Sequence, residues 1–314
     1  MASAPSGPQV PFLVAEYAPP AARGRLLGLL TSAFAAGDVL AAVAVAAVAV
    51  AAVALLSPPE LAWRILFWLG VLPALLVFWA RTRVVDAPVF LAAKAKRGVA
   101  GGLASHLARV RASFAQVFDP DLRLTTIAAT MLASGALSGR YVVTVWLPTY
   151  LQSTLRLDQT AVSAQMLPVL FGSFAGYVGG GYCQDRLGRR STFATFSVAS
   201  VVSILLYVWV PIGSGVLLVA AGFLLGICTS GALSGLGAYL AELFPTSVRG
   251  LGQGFSYSTG RAVAALPVVG GLAAIDGFGP AIAGSAVMYG LCLLALRFLP
   301  ETRGEEFSGR ELLG

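Results

Sequence analysis

Eight apolar stretches alternate with short polar connectors along the chain, at about 26–56, 61–80, 124–151, 161–183, 191–212, 215–241, 251–275 and 279–299. Roughly 20 apolar residues in a helix cross the hydrocarbon core of a bilayer. No ten-residue segments of alternating polarity occur, which excludes a transmembrane β-barrel. The pattern predicts an all-α, polytopic membrane protein with about eight transmembrane helices. The Ala/Val tract from Ala41 to Leu56 is expected to run past the membrane edge. The longest polar stretch, 82–123, divides the chain. Residues 1–81 carry two spans, 82–123 form a surface loop, 124–299 carry six spans, and 300–314 form a polar tail.

The connectors add an internal repeat. Glu16-Tyr-Ala-Pro19-Pro-Ala-Ala-Arg23-Gly24-Arg-Leu-Leu-Gly28 returns as Glu242-Leu-Phe-Pro245-Thr-Ser-Val-Arg249-Gly250-Leu-Gly-Gln-Gly254. Glu, Pro, Arg, Gly and Gly recur at identical spacing, and each copy joins two apolar stretches. A connector used twice implies two related helical bundles, a plan common among secondary transporters. The second copy follows four helices, whereas only Pro11 to Ala15 precede the first. Equivalence of the bundles therefore predicts that three to four helices are missing from the front, as in a truncated product or a misplaced start. Glu16 and Arg23 would then lack the partners that those helices supply.

Composition agrees with the pattern: hydrophobic residues make up 57% and charged residues 11%, half or less of the usual charged share. The net charge of +7 could signal a nucleic-acid partner, but its placement argues otherwise. Counting connectors alternately by side, 17 of the 21 basic residues fall on one side. That bias is the positive-inside pattern and makes the crowded side cytoplasmic, including 82–123, 184–190, 242–250 and the C-terminal tail. A multi-pass plasma or inner membrane protein is expected, with no nucleic-acid partner. Cys183, Cys228 and Cys292 lie singly in or beside apolar blocks and read as packing residues. The sole histidine, His106, lies in the loop. No metal-ligand cluster, phosphate-binding loop or nucleophile elbow is present, so neither enzyme chemistry nor a cofactor is expected. The first eleven residues lack the basic and apolar regions of a signal peptide.

Together these motifs resemble those of the major facilitator superfamily. Gly181-Tyr-Cys-Gln-Asp185-Arg186-Leu-Gly188-Arg189-Arg190 is similar to the family's G-x-x-x-D-R-x-G-R-R/K signature between helices 8 and 9. The two connectors resemble those after helices 4 and 10. Pro300-Glu301-Thr302-Arg303-Gly304 resembles the ending after helix 12, and Asp86-Ala-Pro88 a degraded form of the motif after helix 6. The resemblance covers nearly all of 13–307 and implies a major facilitator fold lacking about its first four helices. It also implies a gating role for Asp185, Arg186, Gly188, Arg189 and Arg190, with Glu242, Arg249, Glu16 and Arg23 in equivalent clusters. The bland alternative is a solvated topology anchor.

Charges within the spans are costly in lipid and mark candidate sites. Arg140 lies mid-to-outer in its span beside Tyr141, with Trp146 further along. Arg261 lies about three turns into its span, one turn after Tyr257. An arginine facing a cavity is a bidentate carboxylate receptor. Arg140, Arg261, Tyr141, Tyr257 and Trp146 are thus the candidate substrate-binding residues. Asp38, flanked by apolar residues, is the candidate proton-coupling carboxylate; alternatively, Arg261 and Asp38 form a structural pair. The stretches around Arg140 and from Glu242 to Arg261 resemble the sialate and metabolite:proton symporter branches. The paired glutamines of sugar porters are absent from 131–141. The reading is a monomeric, proton-coupled carrier of a small organic anion. A sugar or polyol porter, or a non-transporting paralogue, is the alternative.

Overall fold

A computed structural model describes residues 22–55, 114–209, 215–245, 248–264 and 277–304, with isolated positions at 19 and between 64 and 79. Glu16 and most of the 61–80 and 82–123 stretches lie outside the described residues. All regular elements described are helical: α1 (Arg23–Leu55), α2 (Arg123–Tyr141), a π-helical turn (Val142–Trp146), α3 (Leu147–Ser153), α4 (Gln159–Leu187), α5 (Arg189–Trp209), α6 (Gly215–Gly231), α7 (Leu236–Leu243), α8 (Arg249–Ala264), α9 (Phe278–Ser285) and α10 (Met288–Ala295). The chain divides into two compact units, residues 1–37 with 111–314, and residues 38–110. The contacts below belong to the first; Asp38 opens the second.

Five described segments are long and apolar enough to cross a membrane: Arg23–Val45, Gln159–Leu187, Arg189–Trp209, Gly215–Leu243 and Phe278–Ala295. The remaining expected blocks differ for identifiable reasons. The block at 124–151 forms helix throughout, but Thr, Ser and Gly dilute its apolar character. Helix in the block at 251–275 is described only as far as Ala264.

Several interior hydroxyls are satisfied within their own helix. On α2 the hydroxyls of Thr126, Thr130, Ser134 and Ser138 donate to the carbonyls of Leu122, Thr126, Thr130 and Ser134, at 2.6–3.0 Å. Each such bond lets a polar residue sit in an apolar bundle without an orphaned donor.

Small residues set the tightest packing. A side chain at Gly176 would run into the backbone of Ile227, and one at Gly226 into that of Val169, so α4 and α6 cross nearly backbone to backbone. The Gly172/Gly176/Gly180 and Gly222/Gly226 spacings serve this crossing. Gly231 joins it, since a Cβ on Gly180 would lie 2.6 Å from the Gly231 carbonyl, whereas the helix is interrupted over Ala232–Gly235 and Gly235 caps α7. At Pro148 the span stays helical but is disturbed. The disturbance precedes the proline as a π turn, in which the Leu147 N–H bonds the Val142 carbonyl five residues back. Pro168, by contrast, is accommodated inside an uninterrupted α4; Pro267 lies outside the described residues. Cys228 and Cys292 are buried free thiols and Cys183 is half-buried, in keeping with packing roles.

Candidate functional site

The signature turn between α4 and α5 needs a sharp reversal, and Gly188 provides it. Its φ of 92° and ψ of 167° lie in a region open essentially to glycine alone. A Cβ there would also stand 2.8 Å from Glu301 Oε2. Gly188→Ala is expected to cost about 1–3 kcal/mol, read as a lowered unfolding midpoint in detergent. An unchanged midpoint would show that the turn relaxes freely.

Glu301 sits against this turn because its carboxylate caps α5. Oε1 accepts the Arg189 N–H at 2.7 Å, and Oε2 accepts the Arg190 N–H at 3.0 Å. The N–H groups of Thr302 and Arg303 also donate to Oε1, at 3.2 and 3.1 Å. The ending that follows α10 is thereby fastened to the signature turn. The anion faces the positive end of a helix dipole, where it is favoured.

Asp185 performs the same service for α1. Its Oδ1 accepts the Gly24 N–H at 2.8 Å and its Oδ2 the Arg25 N–H at 2.9 Å. Arg25 Nε adds a contact at 3.3 Å and Arg189 Nη1 another at 3.3 Å. The connector glycines explain the approach: a Cβ on Gly24 would lie 2.7 Å from the Gly181 carbonyl, and one on Gly28 2.7 Å from that of Tyr177. In the second copy, Gly250 and Gly254 have open space beside them among the described residues. The two copies share a sequence but not an environment.

Glu242 is the hub. Its Oε1 meets Arg23 Nη1 at 3.1 Å and Arg189 Nη2 at 3.2 Å, and its Oε2 accepts from Arg189 Nε at 3.3 Å and from Thr302 Oγ1 at 2.5 Å. The side chains of Arg23, Arg189 and Glu242 are at most 4% exposed. Arg23 therefore has a partner, contrary to the expectation that it would lack one; that partner comes from the second connector. Arg249 donates Nε to the Phe244 carbonyl at 3.3 Å, folding its own connector. Arg186 stacks over Tyr182 at 4.5 Å. Arg190 gives its backbone N–H to Glu301, and its side chain lines a cavity beside the turn.

The candidate substrate residues are dispersed. Arg140 lies in the last turn of α2, half-buried, and its carbonyl accepts the Thr144 hydroxyl at 2.7 Å across the start of the π turn. Tyr141 precedes that turn and Trp146 closes it, packing on Phe278 with ring centroids 6.1 Å apart. Arg261 is exposed on α8 and Tyr257 half-buried one turn before it. A Cβ on the intervening Gly260 would lie 2.6 Å from the Ala133 Cβ of α2, so the two arginine-bearing helices pack directly. Arg140 lies six residues beyond Ser134, about 9 Å along the helix from this contact. Asp38 is half-buried in the second unit. Among the described residues no group of His, Cys, Asp or Glu could hold a metal ion.

Sequence reasoning missed Glu301 and Thr302 as functional residues. Their signal was the Pro-Glu-Thr-Arg-Gly ending itself, a carboxylate and a hydroxyl at a helix terminus in a charge-poor chain.

Two family models match the chain. Residues 7–153 match the model described as "Sugar (and other) transporter", and residues 177–313 the one described as "Major Facilitator Superfamily". The chain is 35% identical over 298 residues to a "Probable 4-methylmuconolactone transporter" of Cupriavidus pinatubonensis, covering 93% of this chain and 65% of the relative. It is 28% identical to a cis,cis-muconate transport protein of Acinetobacter baylyi, covering 81% and 58%. It thus spans less than two thirds of the length of both. The structure of the proton:xylose symporter XylE superposes with a TM-score of 0.74 at 19% identity, covering 96% of this chain and 70% of that one, a likeness of fold.

Proposed function

Because the chain belongs to the major facilitator superfamily, a family of transporters rather than enzymes, we propose that it is a proton-coupled carrier of small organic anions working by alternating access. The observation that carries the mechanism is the ion network that ties the start of α1 to the ends of α4, α5 and α7. Arg23 and Arg25 stand on one side of it, and Asp185, Arg189 and Glu242 on the other. A carrier needs a latch that holds one orientation and yields in the other, since both states must be populated. The interruptions at the π turn and at Ala232–Gly235 give the spans points at which to bend, and the second lies directly before the half-helix that carries Glu242.

Arg140 and Arg261 support an anionic substrate. Relatives named for muconate, methylmuconolactone and niacin favour a small carboxylic acid. Asp38 is the proposed proton carrier, a half-buried carboxylate within a candidate span. The matched "Sugar (and other) transporter" model favours a second reading, a sugar porter. Uptake of cis,cis-muconate and of xylose into proteoliposomes, with and without an inward proton gradient, separates the two. Muconate uptake driven by the gradient supports the first; xylose uptake alone overturns it.

Asp185→Asn tests the latch. Charge-assisted hydrogen bonds contribute about 1.5–3 kcal/mol, so weakening the α1 cap is expected to shift the ratio of the two orientations roughly 10- to 150-fold. Net uptake falls while the protein remains in the membrane. Unchanged exchange and net flux would leave Asp185 as a helix cap and nothing more.

A further inference from the structure

Beside the latch, but outside it, lies a cavity of 520 Å³ between the first turns of α5 and the segment after α10, lined by Leu187, Arg190, Ala194, Leu296, Glu301 and Arg303 among others. We propose that it seats the phosphate of an anionic phospholipid. Three observations converge on this ligand.

The first is charge. Among the described residues Glu301 is the one acid in the wall, and its two oxygens already accept four backbone N–H groups at 2.7–3.2 Å. It is thereby committed to the protein. The guanidiniums of Arg190 and Arg303 are exposed, and among the described residues neither has an ion-pair partner. Among the described residues the cavity presents two forked donors and no acid free to answer them, an arrangement suited to phosphate oxygens.

The second is polarity. Leu187, Ala194 and Leu296 supply an apolar wall, and Leu187 stays 56% exposed at a helix end. A free inorganic anion gains nothing from that wall. A molecule with a phosphate head and hydrocarbon tails satisfies both parts.

The third is depth. Arg190 is the second residue of α5, whose 21 residues make one of the candidate spans, so the arginines stand where headgroups lie.

Native mass spectrometry of the detergent-solubilised chain, titrated separately with phosphatidylglycerol, phosphatidylcholine and inorganic phosphate, tests the proposal. Phosphatidylglycerol is expected to bind more tightly than phosphatidylcholine. Each lost charge near a lipid phosphate is worth a factor of about five, so Arg190→Gln/Arg303→Gln should weaken phosphatidylglycerol binding about 30-fold. Arg303→Gln alone, outside every helix, guards against misfolding and should weaken it about fivefold. Equal phosphatidylglycerol affinity in the parent and in both variants would overturn the site. Competition by millimolar inorganic phosphate as effective as that by lipid would overturn the lipid assignment in favour of a soluble anion.

Discussion

A Glu242→Gln chain is expected to lose about 3–5 kcal/mol of stability, the largest effect of any single change in the latch. The magnitude follows from burial. Exposed ion pairs contribute about 1 kcal/mol or less. Glu242 instead faces Arg23 and Arg189 with almost no solvent contact, so removing its charge leaves two buried cations with less countercharge. Arg189 keeps Asp185 at 3.3 Å. Adding Arg23→Gln to Glu242→Gln takes one of those cations away and should therefore recover part of the loss. Thermal unfolding midpoints of the single and double variants in one detergent decide the matter. A midpoint within a degree of the parent for Glu242→Gln would mean that solvent reaches the network and that it holds nothing shut.

Arg140→Ala carries the second large effect, on substrate rather than on stability. Truncating a buried charge-assisted contact costs roughly 2–5 kcal/mol, or about 30-fold to several thousandfold in affinity. Arg140→Lys retains the charge and loses the planar fork, so muconate binding should still weaken strongly. Arg261→Ala should behave like Arg140→Ala if it faces the same cavity, and should lower the unfolding midpoint instead if it serves as a structural partner. Binding of muconate within twofold of the parent after Arg140→Ala would remove Arg140 from the substrate site and strengthen the sugar reading.

The described helices were readable because bilayer length is written directly into apolar runs. The charged signature was readable because few charges occur at all, so those at helix junctions stand out. The pairing was not. Asp185 had an obvious neighbour in Arg189 four residues on, yet its two shortest contacts are with the backbone of Gly24 and Arg25, some 160 residues away. Nothing local encodes such a contact. It arises because Gly24, Gly28 and Gly181 let two helices approach within backbone distance, a property of the crossing rather than of either segment. The π turn was equally hidden. Pro148 announces a missing donor, but whether a helix answers by kinking, breaking or widening depends on the packing around Val142 and Val143, both buried.

The hub also bears on how the protein is made. Arg23 and Glu242 are 219 residues apart, and Thr302 follows 60 residues after Glu242. Ribosomes add about 5–20 residues per second, so some 10–45 s pass between Arg23 and the Glu242 carboxylate that it meets. That contact forms only when α7 arrives, and the site is sealed only when the last helix has been threaded and Thr302 follows it. The network is therefore among the last features to form during biogenesis. A chain stopped short of residue 242 lacks the hub carboxylate, and one stopped short of residue 302 lacks the hydroxyl that closes the hub.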